Sequence, residues 1–486
     1  MPAVSRSGRG ALAIVLHTHM PYVEGFGTWP FGEEWLWEAM AGCYLPLLDL
    51  LDEGAPLTLS LTPVLCDQLE ASGVSERFAA FVEGVRRKTH AEDAAGLRAG
   101  GHEQLAEEVE RSWGDYEHAL ESLRTHGGSL LSAFARHAQW TSSATHAILP
   151  LLATDVGVRL QVHSGIAAHR RRFGEHWRGG FWLPECAFAP WLTRALEDAG
   201  VRAACVELTN RFGLNASEHL CPIATDAGVL LVPIDRSTMS LIWSDDGYPA
   251  SGVYRDYHHH TIHHHKPWNN DGGAYEHEVA QALAREHAAD FVARTLTRLR
   301  AANESAPPAR PLPGGGLVVC ALDTELLGHW WYEGLAWLRA VVQECERQGL
   351  ELVRLDDALE RHSWPMVELE NWPSGSVSTW GKDGDLSTWS APAVAEMAFT
   401  ARGAELEVLA AGERAGTAAV RELLALQASD WPFMISREIA VPYARERFEG
   451  HRQALEGALA AGEHAEIAGA RNLAVDADRA YLLDPS

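Results

Sequence analysis

Short apolar runs alternate with amphipathic stretches along most of the chain. The runs end abruptly in polar or turn-forming residues, which is typical of buried parallel strands. The predicted strands are Ala11–Leu16, Leu57–Leu61, Phe181–Leu183, Ala203–Val206, Val229–Val232, Leu317–Leu322 and Leu352–Leu355. The predicted helices between them are His102–Leu123, Trp191–Ala199, His277–Leu299 and Trp331–Gln348. This alternation predicts an α/β fold with a mostly parallel sheet.

The pattern changes after about Pro373, where successive helices follow, including Ala411–Ala428 and Arg445–Ala461. We therefore predict two domains. A catalytic α/β domain covers residues 1–373, with helical and loop insertions at about 64–135 and 234–275. A helical domain covers residues 374–486.

Polar side chains stand directly after several predicted strands. His17 and His19 follow the first strand, Glu185 follows the Phe181 run, and Asp323 follows the Leu317 run. The carboxyl ends of the strands in a parallel barrel share one rim, where active sites form. These four side chains are therefore predicted to converge, although they lie far apart in sequence.

Glu185 and Asp323 have the residue types that glycoside chemistry requires. In a retaining glycosidase, one carboxylate attacks the anomeric carbon and the other protonates the leaving oxygen, with the two groups roughly 5–5.5 Å apart. We predict Glu185 as the nucleophile and Asp323 as the acid/base. The alternative for Glu185 is a helix cap or an ion pair, and the alternative for Asp323 is an N-cap.

Composition narrows the choice of partner. The formal net charge of −26 argues against nucleic acid or an anionic membrane and is compatible with a neutral polymer. The 18 tryptophans, several of them in Gly-rich and polar stretches, favour carbohydrate, because an indole packs on the flat face of a sugar. The 7 cysteines show no CxxC spacing, and the N-terminus has no apolar leader, so we predict a cytoplasmic protein without disulfides or membrane spans.

The histidines leave more than one interpretation open. His17 and His19 could bind a metal together with His146, could hydrogen bond sugar hydroxyls, or could be core residues. We favour sugar binding and predict no metal. The His-rich segment His258–His265 lies between Gly-, Tyr- and Pro-containing stretches, and we predict an exposed, irregular loop there.

Three motifs resemble glycoside hydrolase family 57. They are His17-Thr-His19-Met-Pro21-Tyr22, Trp182-Leu-Pro-Glu185-Cys186 and Asp323-Thr-Glu-Leu-Leu-Gly-His329-Trp330. Further segments are similar to the family's 1,4-α-glucan branching enzymes, namely Gly27-Thr-Trp29-Pro-Phe-Gly-Glu-Glu34, Ser378-Thr-Trp380-Gly381 and Gln427-Ala-Ser-Asp430-Trp431.

The resemblance implies a distorted (β/α)7 barrel with a helical insertion and a C-terminal helical domain. It implies retention of configuration without a cofactor, with an α-1,4-glucan as substrate and an α-1,6 branch as product. Glu185 and Asp323 occupy the positions of the family's nucleophile and acid/base. The implied substrate-binding residues are His17, His19, Trp29, His146, Arg236, Trp268, His329, Trp380, Trp389, Asp430 and Trp431.

The sequence differs from the family pattern in two places. The second family motif is degenerate around Trp140, and the segment Asp235–Trp243 has no tyrosine where branching members of the family have one; the next tyrosine is Tyr248. A 4-α-glucanotransferase or an α-amylase-type hydrolase is therefore the alternative within the same chemistry. A metal-dependent deacetylase and a glucan-binding protein without catalysis are the alternatives outside it.

Overall fold

The computed structural model describes residues 10–27, 31–306, 311–367, 369, 372–373, 376–462, 465–467 and 469–483. Its strands form one mixed sheet. They are β1 (Ala11–Thr18), β2 (Thr58–Leu61), β3 (Ala138–Ser142), β4 (Gly180–Trp182), β5 (Ala203–Val206), β6 (Ile223–Thr225), β7 (Leu230–Pro233), β8 (Leu317–Asp323), β9 (Glu351–Leu352) and β10 (Met366–Val367).

The strand order is β10-β6-β7-β5-β4-β3-β2-β1-β8, with β9 also paired to β1. Neighbouring strands are parallel from β7 through to β8, whereas β6 runs antiparallel to β7. Just after β7, the N–H of Asp235 donates to the carbonyl of Val319 in β8 at 2.9 Å. This bond links the two ends of the parallel run, so the strands form a distorted barrel and the predicted fold class is confirmed.

Strand β1 pairs with β2 on one edge and with β8 on the other, and residues 12–18 are all buried, so both faces of the strand are covered as well. This explains the continuous apolar run, because a strand buried on both faces has no polar side to alternate with. At the carboxyl end of the strand, His17 pairs in register with Asp323 of β8. The sheet register alone therefore brings two predicted site residues together.

Helices surround the barrel and form the C-terminal region. The α-helices are Glu33–Ala39, Leu45–Asp52, Pro63–Glu70, Val74–Ala80, Arg87–Ala99, Glu103–Thr125, Leu130–Phe134, Asp155–Phe173, Leu192–Asp198, Thr209–Phe212, Arg236–Trp243, His277–Ser305, Gly334–Gln348, Leu355–Glu360, Ser387–Ser390, Ala395–Ala411, Thr417–Leu426, Asp430–Ser436, Val441–Ala461 and Ala480–Leu483. Two π-helical segments join neighbouring helices: Met40–Tyr44 precedes the first insertion, and Phe81–Arg86 lies within it. No helix in the described ranges is long and apolar enough to cross a membrane.

The C-terminal helices pack directly on the barrel. Apolar side chains of Thr417–Leu426 and Val441–Ala461 belong to the same continuous core as those of β1 and β8. The turn between Thr417–Leu426 and Asp430–Ser436 consequently reaches the rim of the barrel. The domain division at residues 373 and 374 stays a prediction.

Three local predictions were wrong. The predicted strand Leu352–Leu355 lies too late in the chain, because β9 covers Glu351–Leu352 and a helix begins at Leu355, with Asp356 and Asp357 in its first turn, where acidic side chains are favoured. The predicted helix Ala411–Ala428 is broken at Gly412, which has a φ of 56°. Strand β3 was missed, because polar Gln139 and Thr141 flank Trp140 and leave no apolar run to detect.

Candidate active site

Glu185 lies on a strained turn at the end of β4. Its φ is 59° and that of Cys186 is 49°, in the left-handed region that costs a non-glycine residue of order 1 kcal/mol or more. The Glu185 carbonyl accepts hydrogen bonds from the Thr379 hydroxyl at 2.6 Å and from the Trp380 N–H at 3.1 Å. These two bonds hold the turn, so the segment after β4 is fixed by a loop almost two hundred residues later.

The Glu185 carboxylate is also tied to that loop. The indole Nε1–H of Trp380 donates to Glu185 Oε2 at 2.9 Å, and Arg236 donates to the Trp380 carbonyl at 2.9 Å. Burial raises the pKa of Glu185 to about 7, while the Trp380 hydrogen bond and the nearby His19 act in the opposite direction. The site therefore favours an ionised Glu185 above neutrality.

Asp323 ends strand β8 and faces a different environment. Burial raises its pKa well above the ordinary value, and the like charges of Glu185 and Glu325 raise it further. Since only Glu185 has a hydrogen bond that favours its anion, it is the first of the pair to lose its proton. An ionised Glu185 beside a protonated Asp323 is the state that a nucleophile and a general acid require. Their separation of roughly 5–5.5 Å stays a prediction.

Three histidine rings lie beside the carboxyl groups. His17 stacks on Trp182 with a centroid distance of 4.6 Å, and its Nε2 lies 3.0 Å from Nε2 of His146. His19 stacks on His146 at 4.0 Å. Burial lowers the pKa values of His17 and His146, so both rings are neutral. The three rings therefore form one stacked group at the rim of the barrel.

The C-terminal helices fix two of these rings. Ser429 Oγ lies 2.8 Å from Nδ1 of His146, and Asp430 Oδ1 lies 2.9 Å from Nε2 of His19. Burial opposes protonation of His19, but Asp430, Glu325 and Glu185 together outweigh it, and the pKa of His19 is raised. The site thus combines two neutral imidazoles with a third that protonates more readily, beside a carboxylate.

His19, His146 and Asp430 are also the residues that would bind a metal ion if the metal alternative held. His19, His146 and Asp430 each bring one ligand-type atom within 4.8 Å of the others. However, His19 and Asp430 bond each other, and both ring nitrogens of His146 have protein partners, His17 and Ser429. We interpret the group as a hydrogen-bonded network. The deacetylase alternative instead requires that chelation abolish activity.

Comparison with known proteins agrees with this geometry. A model of glycosyl hydrolase family 57 matches residues 140–370, and a model of the C-terminal region of 1,4-α-glucan branching enzymes matches residues 391–473. The chain is 33% identical to a probable 1,4-α-glucan branching enzyme of Mycobacterium tuberculosis over 93% of each chain. It is 31% identical to a 1,4-α-glucan branching enzyme of Thermococcus kodakarensis, over 90% of this chain and 72% of that one.

The chain belongs to glycosyl hydrolase family 57. The resemblance that the motifs carry is therefore confirmed.

Several solved structures share the fold over nearly the whole length. The branching enzyme of Pyrococcus horikoshii is 28% identical with a TM-score of 0.85, covering 98% of this chain and 97% of that one. The branching enzyme of T. kodakarensis is 27% identical with a TM-score of 0.86 and the same coverage. An α-amylase of Thermotoga maritima is 23% identical with a TM-score of 0.75, covering 97% of this chain and 96% of that one, and shares the fold.

Other residues implied by the family resemblance lie at different depths. Trp268 is half-buried and stacks on His259 at 3.9 Å, and His329 is half-buried beside Tyr257. Trp389 is buried, and a Cβ added at Gly381 would lie 2.9 Å from its ring, so it lies directly behind the Trp380 loop. Trp29 lies outside the described residues. Their roles in substrate binding stay predictions.

Trp431 has a placement that does not favour its predicted role. Its side chain is 0% exposed, and its Nε1–H donates to the Ala425 carbonyl at 2.9 Å. It stacks on the buried His451. In this structure Trp431 is a core residue of the C-terminal helices, and it orients Asp430 from behind.

The missing tyrosine is not replaced by Tyr248. The Tyr248 hydroxyl donates to Asp290 at 2.8 Å and its ring stacks on His287 at 4.5 Å, so it is fixed on the helix His277–Ser305. The His-rich loop is irregular, as predicted, and His258, His259 and His260 are exposed. His265 is buried, which the prediction of an exposed loop missed.

Sequence reasoning overlooked several residues of this family 57 site. Ser429, Thr379 and Tyr44 were not predicted, and Glu325 was seen only as a neighbour of Asp323. Ser429, Thr379 and Tyr44 do not follow a strand, and each reaches the site through a contact distant in sequence. The signal that could have found Ser429 and Thr379 is their position beside Asp430 and Trp380, in segments that resemble the family.

The indole of Trp380 provides a test of the nucleophile. In Trp380→Phe the pKa of Glu185 should rise, because the carboxylate loses its hydrogen bond. The acidic limb of the pH–kcat/KM profile should then move to higher pH by about one unit, since a bond to a charged group is worth ~1.5–3 kcal/mol. Trp389→Phe is the matched control: its Nε1 has no hydrogen-bond partner among the described residues, so that limb should stay in place. If the acidic limb stays in place in Trp380→Phe as well, the assignment of Glu185 as the nucleophile is contradicted.

Proposed function

We propose that this family 57 member is a retaining 1,4-α-glucan branching enzyme. The observation that carries the proposal is the pair of rim carboxyl groups, Glu185 and Asp323, whose surroundings favour opposite protonation states. The family membership and the branching enzymes among its relatives support the choice of glucan as substrate.

In the first step, Glu185 attacks the anomeric carbon of a glucosyl unit in an α-1,4-glucan. The bond from that carbon to O4 of the next unit breaks, and Asp323 gives its proton to the departing oxygen. The products are a free chain end and a glycosyl ester on Glu185. The Trp380 indole keeps Glu185 oriented and ionised for this attack.

In the second step, Asp323 takes the proton from a 6-hydroxyl of an acceptor chain. The acceptor oxygen attacks the same carbon, and the ester bond to Glu185 breaks. The configuration is inverted twice and is therefore retained. Each step regenerates the group that the other step needs, so no cofactor is required.

The histidines bind the sugar at the cleavage point in this proposal. Sugar hydroxyls take over hydrogen bonds that the ring nitrogens of His17, His19 and His146 make within the protein. Half-buried Trp380 and Trp268 stack along the chain. Arg236 acts indirectly, because its guanidinium donates to the Trp380 carbonyl.

A second candidate is a 4-α-glucanotransferase or α-amylase-type hydrolase. The observation that favours it is the absence of tyrosine from Asp235–Trp243, with Tyr248 held on Asp290. A site that is closed less completely admits water, and water resolves the ester by hydrolysis.

Linkage analysis separates the candidates. We expect amylose incubated with the protein to gain α-1,6 linkages, seen as a new anomeric proton signal and as short chains released by a debranching enzyme. Glu185→Gln, incubated in parallel, should give neither. Linear products of altered length would identify a 4-α-glucanotransferase, and a rise in reducing ends without branches would identify a hydrolase.

We also propose a role in glycogen synthesis and a cytoplasmic location. The 7 cysteines are all free, which suits a reducing compartment. The acidic chain, with its net charge of −26, suits a neutral polysaccharide partner rather than nucleic acid or an anionic membrane. We further propose that the helical domain after residue 373 completes the glucan site, since Trp380, Ser429 and Asp430 belong to it.

A further inference from the structure

We propose that Glu325 is a positioning residue for the branching reaction: its carboxylate is a third negative charge that keeps the proton on Asp323. The inference rests on the proposed function, because it assigns a role relative to the acid/base. Glu325 follows Asp323 by two positions, and its carboxylate accepts from the backbone N–H of His19, two residues after the His17 that pairs in register with Asp323.

Two donors hold the Glu325 carboxylate in place. Its Oε1 accepts the Tyr44 hydroxyl at 2.6 Å and the backbone N–H of His19 at 3.1 Å. Both donors stabilise an anion at this position. Burial raises the pKa of Glu325 to about 7, and the Tyr44 bond opposes that rise, so the group is partly ionised at neutrality and charged in alkaline solution, where Asp323 loses its proton.

The backbone is shaped to bring Tyr44 to this position. Tyr44 ends the π-helical segment Met40–Tyr44, a type of turn found frequently at functional sites. A Cβ added at Gly328, whose φ is 101°, would lie 2.0 Å from the carbonyl of Gly42. The Cys43 thiol donates to the Thr324 carbonyl at 2.9 Å. The π-helical segment therefore packs directly on the turn that carries Glu325.

The charges around Asp323 explain why a third carboxylate matters. The groups that face this region are His17 and His19 from β1, Cys43 and Tyr44 from the π-helical segment, and Glu185 and Cys186 after β4, with Asp430 beyond His19. Of these, Glu185 raises the pKa of Asp323 in the free enzyme, as Glu325 does.

Glu185 loses its charge when it forms the glycosyl ester. Glu325 forms no ester, so its charge persists through both steps. In the second step Asp323 must accept a proton from the acceptor hydroxyl, and a neighbouring negative charge makes it a stronger base. Glu325 therefore supports Asp323 as acid in the first step and as base in the second.

Glu325→Gln tests this role, because the amide oxygen still accepts from Tyr44 and His19 but the charge is gone. The alkaline limb of the pH–kcat/KM profile for amylose cleavage reports the deprotonation of Asp323 in the free enzyme. Without the like charge Asp323 loses its proton more readily, so we expect this limb to move to lower pH by about half a unit to one unit.

Glu325→Asp is the matched control, since it keeps the charge and shortens the reach. Its alkaline limb should stay within about 0.3 units of the wild-type limb, even if its kcat falls. Two results together would show that Glu325 is only a hydrogen-bond acceptor. The alkaline limb would stay in place in both variants, and Glu325→Asp would lose much of its kcat. If Glu325→Gln does not fold, Glu325→Asp alone decides. Its charge is retained, so a shift of its alkaline limb to lower pH by about half a unit to one unit would overturn the inference.

Asp323→Asn separates this inference from the proposed function. If the wild type does not cleave amylose, or if Asp323→Asn keeps the activity and its alkaline limb, the proposed function fails. If the limb depends on Asp323 but does not respond to Glu325→Gln, only the role of Glu325 is wrong.

Discussion

Glu185→Gln should lower the rate of α-glucan cleavage by about 10⁴-fold or more, because the amide cannot form the glycosyl ester. The exchange is nearly isosteric, and the amide can still accept the Trp380 hydrogen bond, so the fold and the turn after β4 should persist. Initial rates on amylose, with circular dichroism and thermal unfolding of the same preparation, measure the effect. Activity within tenfold of the wild type would remove Glu185 from the mechanism.

Rescue with azide identifies the role of Glu185 more directly. In Glu185→Ala, azide can enter the space left by the carboxylate and attack an activated donor such as α-maltosyl fluoride. Because azide then attacks the sugar carbon itself, the product should be β-maltosyl azide, with inverted configuration. The α-azide would instead mean that another residue forms the ester.

Asp323→Asn should reduce amylose cleavage by about 10²- to 10⁴-fold, which is the usual contribution of a general acid. The loss should be much smaller for α-maltosyl fluoride, since fluoride departs without protonation. The alkaline limb of the amylose pH profile should disappear, because it reports the deprotonation of Asp323. Steady-state rates on the two substrates, measured across pH, test all three expectations.

Asp323→Ala with azide complements the nucleophile variant. Glu185 is intact in this protein, so the ester still forms from α-maltosyl fluoride and azide resolves it. The product should be α-maltosyl azide, with retained configuration. Equal loss on amylose and fluoride substrates, without any azide product, would indicate that Asp323 is structural.

The barrel and its two rim carboxyl groups were predictable because each depends on a local pattern. A strand covered on both faces must be apolar throughout, so β1 and β8 stand out, and the first polar residue after each must lie at the rim. Strand β3 has no such run and was missed. The helix Ala411–Ala428 was predicted to begin too early. Gly412 ends the preceding helix, Ala395–Ala411, and the next helix begins only at Thr417.

The rest of the site depends on contacts distant in sequence. Nothing near Glu185 in sequence indicates that Thr379 and Trp380 hold its turn, and nothing near His146 indicates Ser429. The resemblance supplied Trp380 and Asp430 but not their partners. It also supplied Trp431, whose ring the structure places in the helical core, because a motif gives the identity of a residue and not the direction of its side chain.

The dependence of the rim on Trp380, Ser429 and Asp430 has a consequence during biosynthesis. Glu185 and the histidines leave the ribosome well before the segments that hold them. Until those segments dock, Glu185 lacks its indole donor and His19 lacks its carboxylate partner. If Glu185 is the nucleophile, as proposed, we expect a nascent chain to be inert toward glucan until these segments have been translated and have docked.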